Sequence, residues 1–237
     1  MFTTFSYRDN YYCIGINFDW EIVVRMGVMS KYVIYDLEMC RVPRGEKREQ
    51  FGYRQELIQI GAVLLDENYD MIDTFMSFVK PRFGELDEFI QKLTGIKPED
   101  TQCAPSTEEA LEHFTKWMPE DAVMVSWSEN DPYQLYHEID GKEIDIPRLE
   151  DLLEDSIDCQ YEFEEKLHSS RTYSLSEALS ITGLDCDEHI HDALSDAKNT
   201  ALLFAKMMKE PVMKMSKYYL SEEDMIIYMR NTRVGII

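Results

Sequence analysis

The chain reads as an α/β protein built on a mixed sheet, with three strands in an antiparallel meander, parallel strands beside them, and helices covering the faces. Two patterns predict this. From Lys31, three β-branched or aromatic-rich runs, YVIYDLEM, ELIQIGAVLLDE and DMIDTFMSFVKP, follow one another with only polar, turn-compatible residues between them, as in a meander. Beyond them, a short apolar run alternates with stretches of helical period, which is the order of strands joined by crossing helices. The 237 residues bury a substantial core as one domain, and 44% apolar content argues against a disordered or fibrous chain.

Residues 1–28 show neither a clean helical nor a clean strand period, and Met29 opens a run that looks like a domain start. Either the natural start is Met29, or the segment adds a strand or wraps the domain, as its Tyr, Phe, Trp and Ile content permits. After the meander, Ser106 to Met118 carries S-x-x-E at its start and Ala110, Leu111, Phe114, Trp117 and Met118 at helical spacing, with Pro119 just beyond: an amphipathic helix. AVMVSWS is a short strand, and NDPYQLYHEI a helix with Asp131 and Pro132 in its first turn. Residues 138–166 are rich in Asp and Glu and read as a solvated face, with SIDCQYEF as their candidate strand. Ser174 to Leu179 repeats the S-x-x-E cap before a short helix closed by Gly183, and a long helix runs from about Asp192 to Lys209. The expected division is an extension over 1–28, a domain over 29–209 and an appendage over 210–237, with no repeat or linker. This element order suits a ribonuclease H-like fold.

With 24 Lys and Arg against 46 Asp and Glu, the net charge of −22 argues against a broad basic surface for nucleic acid. Screening acts over roughly 8 Å at physiological salt, so the charges near a site matter more than the total. Arg41, Arg44, Lys47, Arg48 and Arg54 crowd the stretch after the first strand, and Lys206, Lys209, Lys214 and Lys217 form a second group. Either group meets a phosphate backbone or is simply solvated. Cys13, Cys40, Cys103, Cys159 and Cys186 are odd in number and form no C-x-x-C pair, so they are expected to be reduced and buried rather than zinc-binding. No apolar run approaches the roughly 18 residues of a membrane span, and no secretory signal opens the chain, which places it in the cytoplasm.

The chemistry lies in a dispersed acidic set. Asp36 and Glu38 are two apart on a strand, so both carboxylates project from one face and can share a metal pair. In so acidic a chain two chosen positions are both acidic about one time in 25, so D-x-E alone says little. An apolar strand, however, has no structural use for two carboxylates unless its end is exposed or a cation neutralises them. Asp131, taken alone, reads as a helix cap. Asp196 falls in the long helix, five residues after His191, and five helical residues turn by about 140°, so His191 belongs in the loop before the helix, which Asp192 caps. Four carboxylates and a histidine suit phosphodiester hydrolysis by two hard divalent ions, Mg²⁺ or Mn²⁺, with the histidine taking a proton from water near neutral pH. His189 lacks the five-residue spacing and reads as an exposed loop residue.

These segments, YDLEMC, ELIQIGAV, WSENDPYQL and HDALSDAKNTA, resemble the DEDDh family of 3′–5′ exonucleases over roughly Lys31 to Lys209. A tyrosine four residues before Asp196 would mark the sister DEDDy group; Asp192 stands there instead. LTGI at 93–96 is similar to the sporulation-inhibitor-like and small-RNA-trimming members, and DLEM to oligoribonucleases. The resemblance implies that Asp36, Glu38, Asp131 and Asp196 hold two metal ions and His191 is the general base. It also implies that Leu37 and Met39 contact the terminal nucleotide, with Arg41 and Arg44 as further substrate-binding candidates. Ser126 and Ser128 surround Trp127 where relatives often carry glycine or a histidine-asparagine pair, which makes Asp131 the loosest match. The expected partner is single-stranded RNA or DNA with a free 3′ end, with no membrane contact; a homodimer is among the assemblies the resemblance allows. The competing readings are a regulatory or nucleic-acid-binding protein with dispensable activity, and a module of a polymerase or repair assembly docking through residues 210–237.

Overall fold

The computed structural model describes residues 30–167, 169, 171–185 and 192–210. The expected extension over 1–28 and, apart from Glu210, the appendage over 210–237 lie outside the described residues, as do His189, His191, Cys13, Cys186, Lys214 and Lys217. The strands are β1 (Lys31–Arg41), β2 (Gln55–Leu65), β3 (Met71–Phe78), β4 (Ala122–Ser126) and β5 (Ile157–Asp158). The helices are α1 (Glu46–Phe51), α2 (Glu88–Thr94), α3 (Pro98–Gln102), α4 (Thr107–Trp117), α5 (Asn130–Lys142), α6 (Pro147–Glu154), α7 (Cys159–Leu167), α8 (Leu175–Thr182) and α9 (Ala193–Lys209).

The strands form one sheet in the order β3-β2-β1-β4-β5, antiparallel from β3 to β1 and parallel from β1 to β5. The meander and the parallel addition are those the hydrophobic pattern predicts. Alternation along β1 splits the core: Tyr32 and Ile34 pack with Phe163, Leu179 and Phe204 of α7, α8 and α9. Val33, Tyr35 and Leu37 pack with Phe114, Leu135 and Leu149 of α4, α5 and α6. Because the sheet is covered on both sides, β1 and β2 are apolar nearly throughout, and a polar residue on either needs a particular reason.

The predicted caps form. Ser106 and Ser174 accept from the backbone N–H groups of Glu109 and Glu177, whose side chains reach back in capping boxes, and Gly183 closes α8 in the left-handed region at φ 70°. Asp192 caps α9 by accepting from the N–H of Ser195.

Two expectations fail between 138 and 166. SIDCQYEF contributes only the two-residue β5 before the chain turns into α7, where Cys159, Phe163 and Leu167 recur at four-residue spacing and face the core. Nor is the acidic stretch wholly a solvated face. Glu138 is fully buried, and with Glu56 it encloses Lys142, whose Nζ lies 2.6 Å from Glu56 Oε1 and 2.7 Å from Glu138 Oε2. Glu56 also accepts from the N–H groups of Arg82, Phe83 and Gly84, and Glu138 from that of Leu57. Burial raises the Glu138 carboxyl pKa and Lys142 partly opposes that shift. The cysteine expectation holds for Cys40 and Cys159, which are free and buried, but Cys103 is exposed. Among the described residues no helix is long and apolar enough to cross a membrane.

Lys142→Met leaves two buried carboxylates without their cation and should lower unfolding free energy by about 3–5 kcal/mol, read as a shift of the urea midpoint. A loss under about 1 kcal/mol would mean that water reaches the network.

Candidate active site

The site forms where β4 ends beside β1. Parallel pairing runs from Lys31↔Ala122 to Ile34↔Val125, so β4 finishes just short of Asp36, and the chain turns through Trp127 and Ser128 into α5. Ser126 Oγ donates to the Ser128 carbonyl in that turn. Ligand crevices open at such carboxyl ends, where neighbouring connections diverge. On the other side β2 runs antiparallel, with Gly61 opposite Asp36 and Gln59 opposite Glu38, and a bulge follows between Glu38 and Met39.

Asp36 and Glu38 continue the row of Tyr32 and Ile34 toward α9. Asp196, in the first turn of α9, meets them there: one carboxylate oxygen from each of the three lies within 4.8 Å of the others. Such a trio can hold a divalent metal ion. Asp131 is buried in the first turn of α5, and its carboxylate accepts from the Leu37 N–H. It is not the cap the local sequence suggests; Glu129 occupies that position, with no side-chain cap bond.

The electrostatics show what crowding these groups does. Burial first, then Asp131, Asp196, Glu38 and Asp192, hold the Asp36 carboxyl well above the ordinary range. Burial, with Asp196, Asp131 and Asp192, lifts Glu38 to about 8. Asp131 rises to about 7 through burial and Asp196, against the lowering effect of the Leu37 N–H. The charges raising these three groups are all carboxylates, so a cation among them would relieve both repulsion and desolvation. Oxygen-only donors suit a hard divalent ion.

Thus Asp36, Glu38 and Asp196 are brought together, with Asp131 in electrostatic contact, while His191 lies outside the described residues, directly before the cap Asp192. Leu37 is buried in the core; Met39 is partly exposed. Arg41, three residues past Glu38 and so about 10 Å along the strand, is exposed and stacks over the Phe89 ring at 4.9 Å. Arg44 and Arg54 are exposed, whereas Lys47 pairs with Glu85 and Arg48 donates to the Val42 carbonyl. In the second basic group, Lys206 pairs with Glu210 and Lys209 with Asp70.

The sequence reading missed two participants. Asp192, taken only as a cap, adds charge to Asp36 and Glu38. Gln59, buried across from Glu38, hydrogen-bonds to Asp192 and to the Ala193 N–H. Its signal was an amide within the otherwise apolar run from Leu57 to Leu65.

The family model described as Exonuclease (RNase_T) matches residues 33–204. The DNA polymerase III PolC-type of Caldanaerobacter subterraneus subsp. tengcongensis is 28% identical over 181 residues, covering 76% of this chain and 12% of the polymerase. ERI1 exoribonuclease 2 of Homo sapiens is 28% identical over 191 residues, covering 70% of this chain and 27% of that protein. The chain therefore spans well under half the length of these relatives. Among solved structures, the nuclease domain of 3′hExo, a DEDDh family member, bound to rAMP, superposes with a TM-score of 0.68 at 20% identity, over 80% of this chain and 98% of that one. That likeness agrees with the ribonuclease H-like fold expected from the element order. With the match covering the sheet, the acidic trio and most of α9, the chain belongs to the Exonuclease (RNase_T) family.

Proposed function

We propose that this chain is a metal-dependent 3′–5′ exonuclease that hydrolyses phosphodiester bonds from the 3′ end of single-stranded RNA or DNA and releases nucleoside 5′-monophosphates, with residues 29–209 as the catalytic domain. The observation that carries this reading is the trio of Asp36, Glu38 and Asp196, whose oxygens lie within 4.8 Å of one another among further carboxylates. Such a cluster is unfavourable for protein alone and becomes favourable around divalent cations. Family membership and the exoribonuclease and polymerase names of its relatives support the reaction class, and between them leave both RNA and DNA as substrates.

Asp36, Glu38, Asp131 and Asp196 would hold two Mg²⁺ or Mn²⁺ ions, which supply acidity to the attacking water and positive charge against the phosphoryl oxygens. The chain's own groups do the rest. His191, with an ordinary pKa near 6.5, would accept the proton from that water. Leu37 and Met39 would flank the terminal nucleotide, and Met39 is the more exposed. Arg41 and Arg44 would meet phosphates upstream of the scissile bond.

The direct test is a gel time course on 5′-labelled single-stranded RNA and DNA of equal sequence with Mn²⁺, Mg²⁺ or EDTA. Wild type should shorten one polymer stepwise from its 3′ end only with metal. Asp36→Ala should abolish the ladder with the thermal midpoint unchanged or higher, since a repelling carboxylate is gone; a variant that still turns over would remove Asp36 from the chemistry.

Arg41→Ala with Arg44→Ala should raise KM and lessen the slope of log(kcat/KM) against log salt by about 0.7 per lost phosphate contact on a single strand. A slope equal to wild type would return both arginines to plain solvated charges.

Metal and pH should be linked. The raised pKa values of Glu38, about 8, and Asp131, about 7, mean that the fold favours their protonated forms. The stability they contribute is complete below the ordinary carboxylate pKa of about 4 and is lost as pH climbs through about 7 to 8. Metal-free protein should therefore melt lower at pH 8 than at pH 5, and the rise in melting temperature on adding Mn²⁺ should grow over that interval. An increment independent of pH would contradict this assignment.

A further inference from the structure

We infer that Gln59 is the positioning residue of this site, seating the first turn of α9, and Asp196 with it, against the strand that carries Asp36 and Glu38. The inference rests on the reading of the acidic trio as a metal centre. Gln59 is 2% exposed and is the one polar side chain from Leu57 to Leu65. Nothing in strand packing calls for an amide there, and both of its ends are used on the same target. Gln59 Nε2 donates to Asp192 Oδ1 at 3.0 Å, and Oε1 accepts from the Ala193 N–H at 3.1 Å. That N–H is among the first-turn donors that a helix cannot satisfy internally.

The grip passes on to Asp196 through one residue. The Asp192 backbone carbonyl accepts from the Asp196 N–H at 2.9 Å, and its Oδ2 accepts from both N–H and Oγ of Ser195 at 3.0 Å. Two positions along β2, Gly61 lies opposite Asp36, and a Cβ there would fall 2.1 Å from the Leu194 nitrogen, so α9 rests directly on the strand backbone. Gln59 and Gly61 thus hold α9 at two points, each directly across the ladder from one of the two strand carboxylates.

An amide suits this position for an electrostatic reason. It offers a donor to the Asp192 carboxylate and an acceptor to the Ala193 N–H while adding no charge to a cluster in which carboxylates already repel one another. A carboxylate would keep the acceptor, lose the donor and add another negative charge. An apolar side chain would keep neither bond.

The test compares full-length wild type with Gln59→Leu and Gln59→Glu, measuring Mn²⁺ affinity by calorimetry, kcat and KM on a labelled oligonucleotide, and the folded fraction at assay temperature. In folded Gln59→Leu we expect kcat to fall about 10- to 100-fold, KM to stay within about twofold, and the Mn²⁺ dissociation constant to rise severalfold. Combining it with Asp192→Ala should cost little beyond the larger single effect, because both act through one contact. Folded Gln59→Leu with wild-type kcat and Mn²⁺ affinity would overturn the inference and leave Gln59 a satisfied core amide. Should Gln59→Leu not fold, Gln59→Glu, which retains the acceptor for Ala193, carries the same comparison. If wild type binds Mn²⁺ but cuts neither polymer, the exonuclease reading fails and the Mn²⁺ affinities alone decide the role of Gln59. Wild type that binds no Mn²⁺ would overturn both.

Discussion

Mutual repulsion among Asp36, Glu38, Asp131 and Asp196 is the constraint around which this domain is arranged. Like charges drawn together away from water move apart or take up protons unless rigid surroundings prevent it, and the raised carboxyl pKa values record that tension. The rigidity comes from covering both faces of β1. Phe114, Leu135 and Leu149 lie beneath the odd-numbered residues and Phe163, Leu179 and Phe204 beneath the even-numbered ones, so the strand cannot tilt its acids away from one another. The free energy stored in the cluster is what would make cation binding favourable there.

A second buried charge group in the same molecule shows the alternative solution. Glu56 and Glu138 are as deeply buried as any acid among the described residues, yet they carry their own cation in Lys142 and are further held by backbone N–H donors. That network ties the start of β2 to α5 and to the turn after β3, and needs nothing from solution. The contrast separates two kinds of buried acid: one set is compensated from within the chain, while the other gathers carboxylate against carboxylate. Burial alone does not make the distinction; the sign of the neighbouring charge does.

The strongly negative total charge is compatible with the polyanionic substrate proposed for this chain because the relevant field is local. Exposed Arg41 ends β1 and exposed Arg44 lies just beyond it, while Lys47, Lys206 and Lys209 are already engaged with carboxylates of the chain itself. Counting basic residues overstates what a phosphate backbone would find, and counting acidic ones overstates the repulsion it would meet.

The sequence by itself determined the meander, the capped helices and the candidate carboxylates, because each is written in short-range terms. Alternation sets strand faces, S-x-x-E closes a helix start, and D-x-E puts two acids on one side of a strand. It also led to the family, since linked motifs are legible without coordinates. What it misjudged was decided by contacts between distant segments. CQYEF became a helix because Cys159, Phe163 and Leu167 found a core to face, and Glu138 became an interior residue because Glu56, far away in sequence, and Lys142 met it. Only the tertiary structure could show that Asp131 turns inward instead of capping its helix, or that Gln59 holds Asp192 from across the sheet. A cap, a solvated acid and a metal ligand look alike locally; which of them a carboxylate becomes depends on the charge and the solvent that folding places beside it.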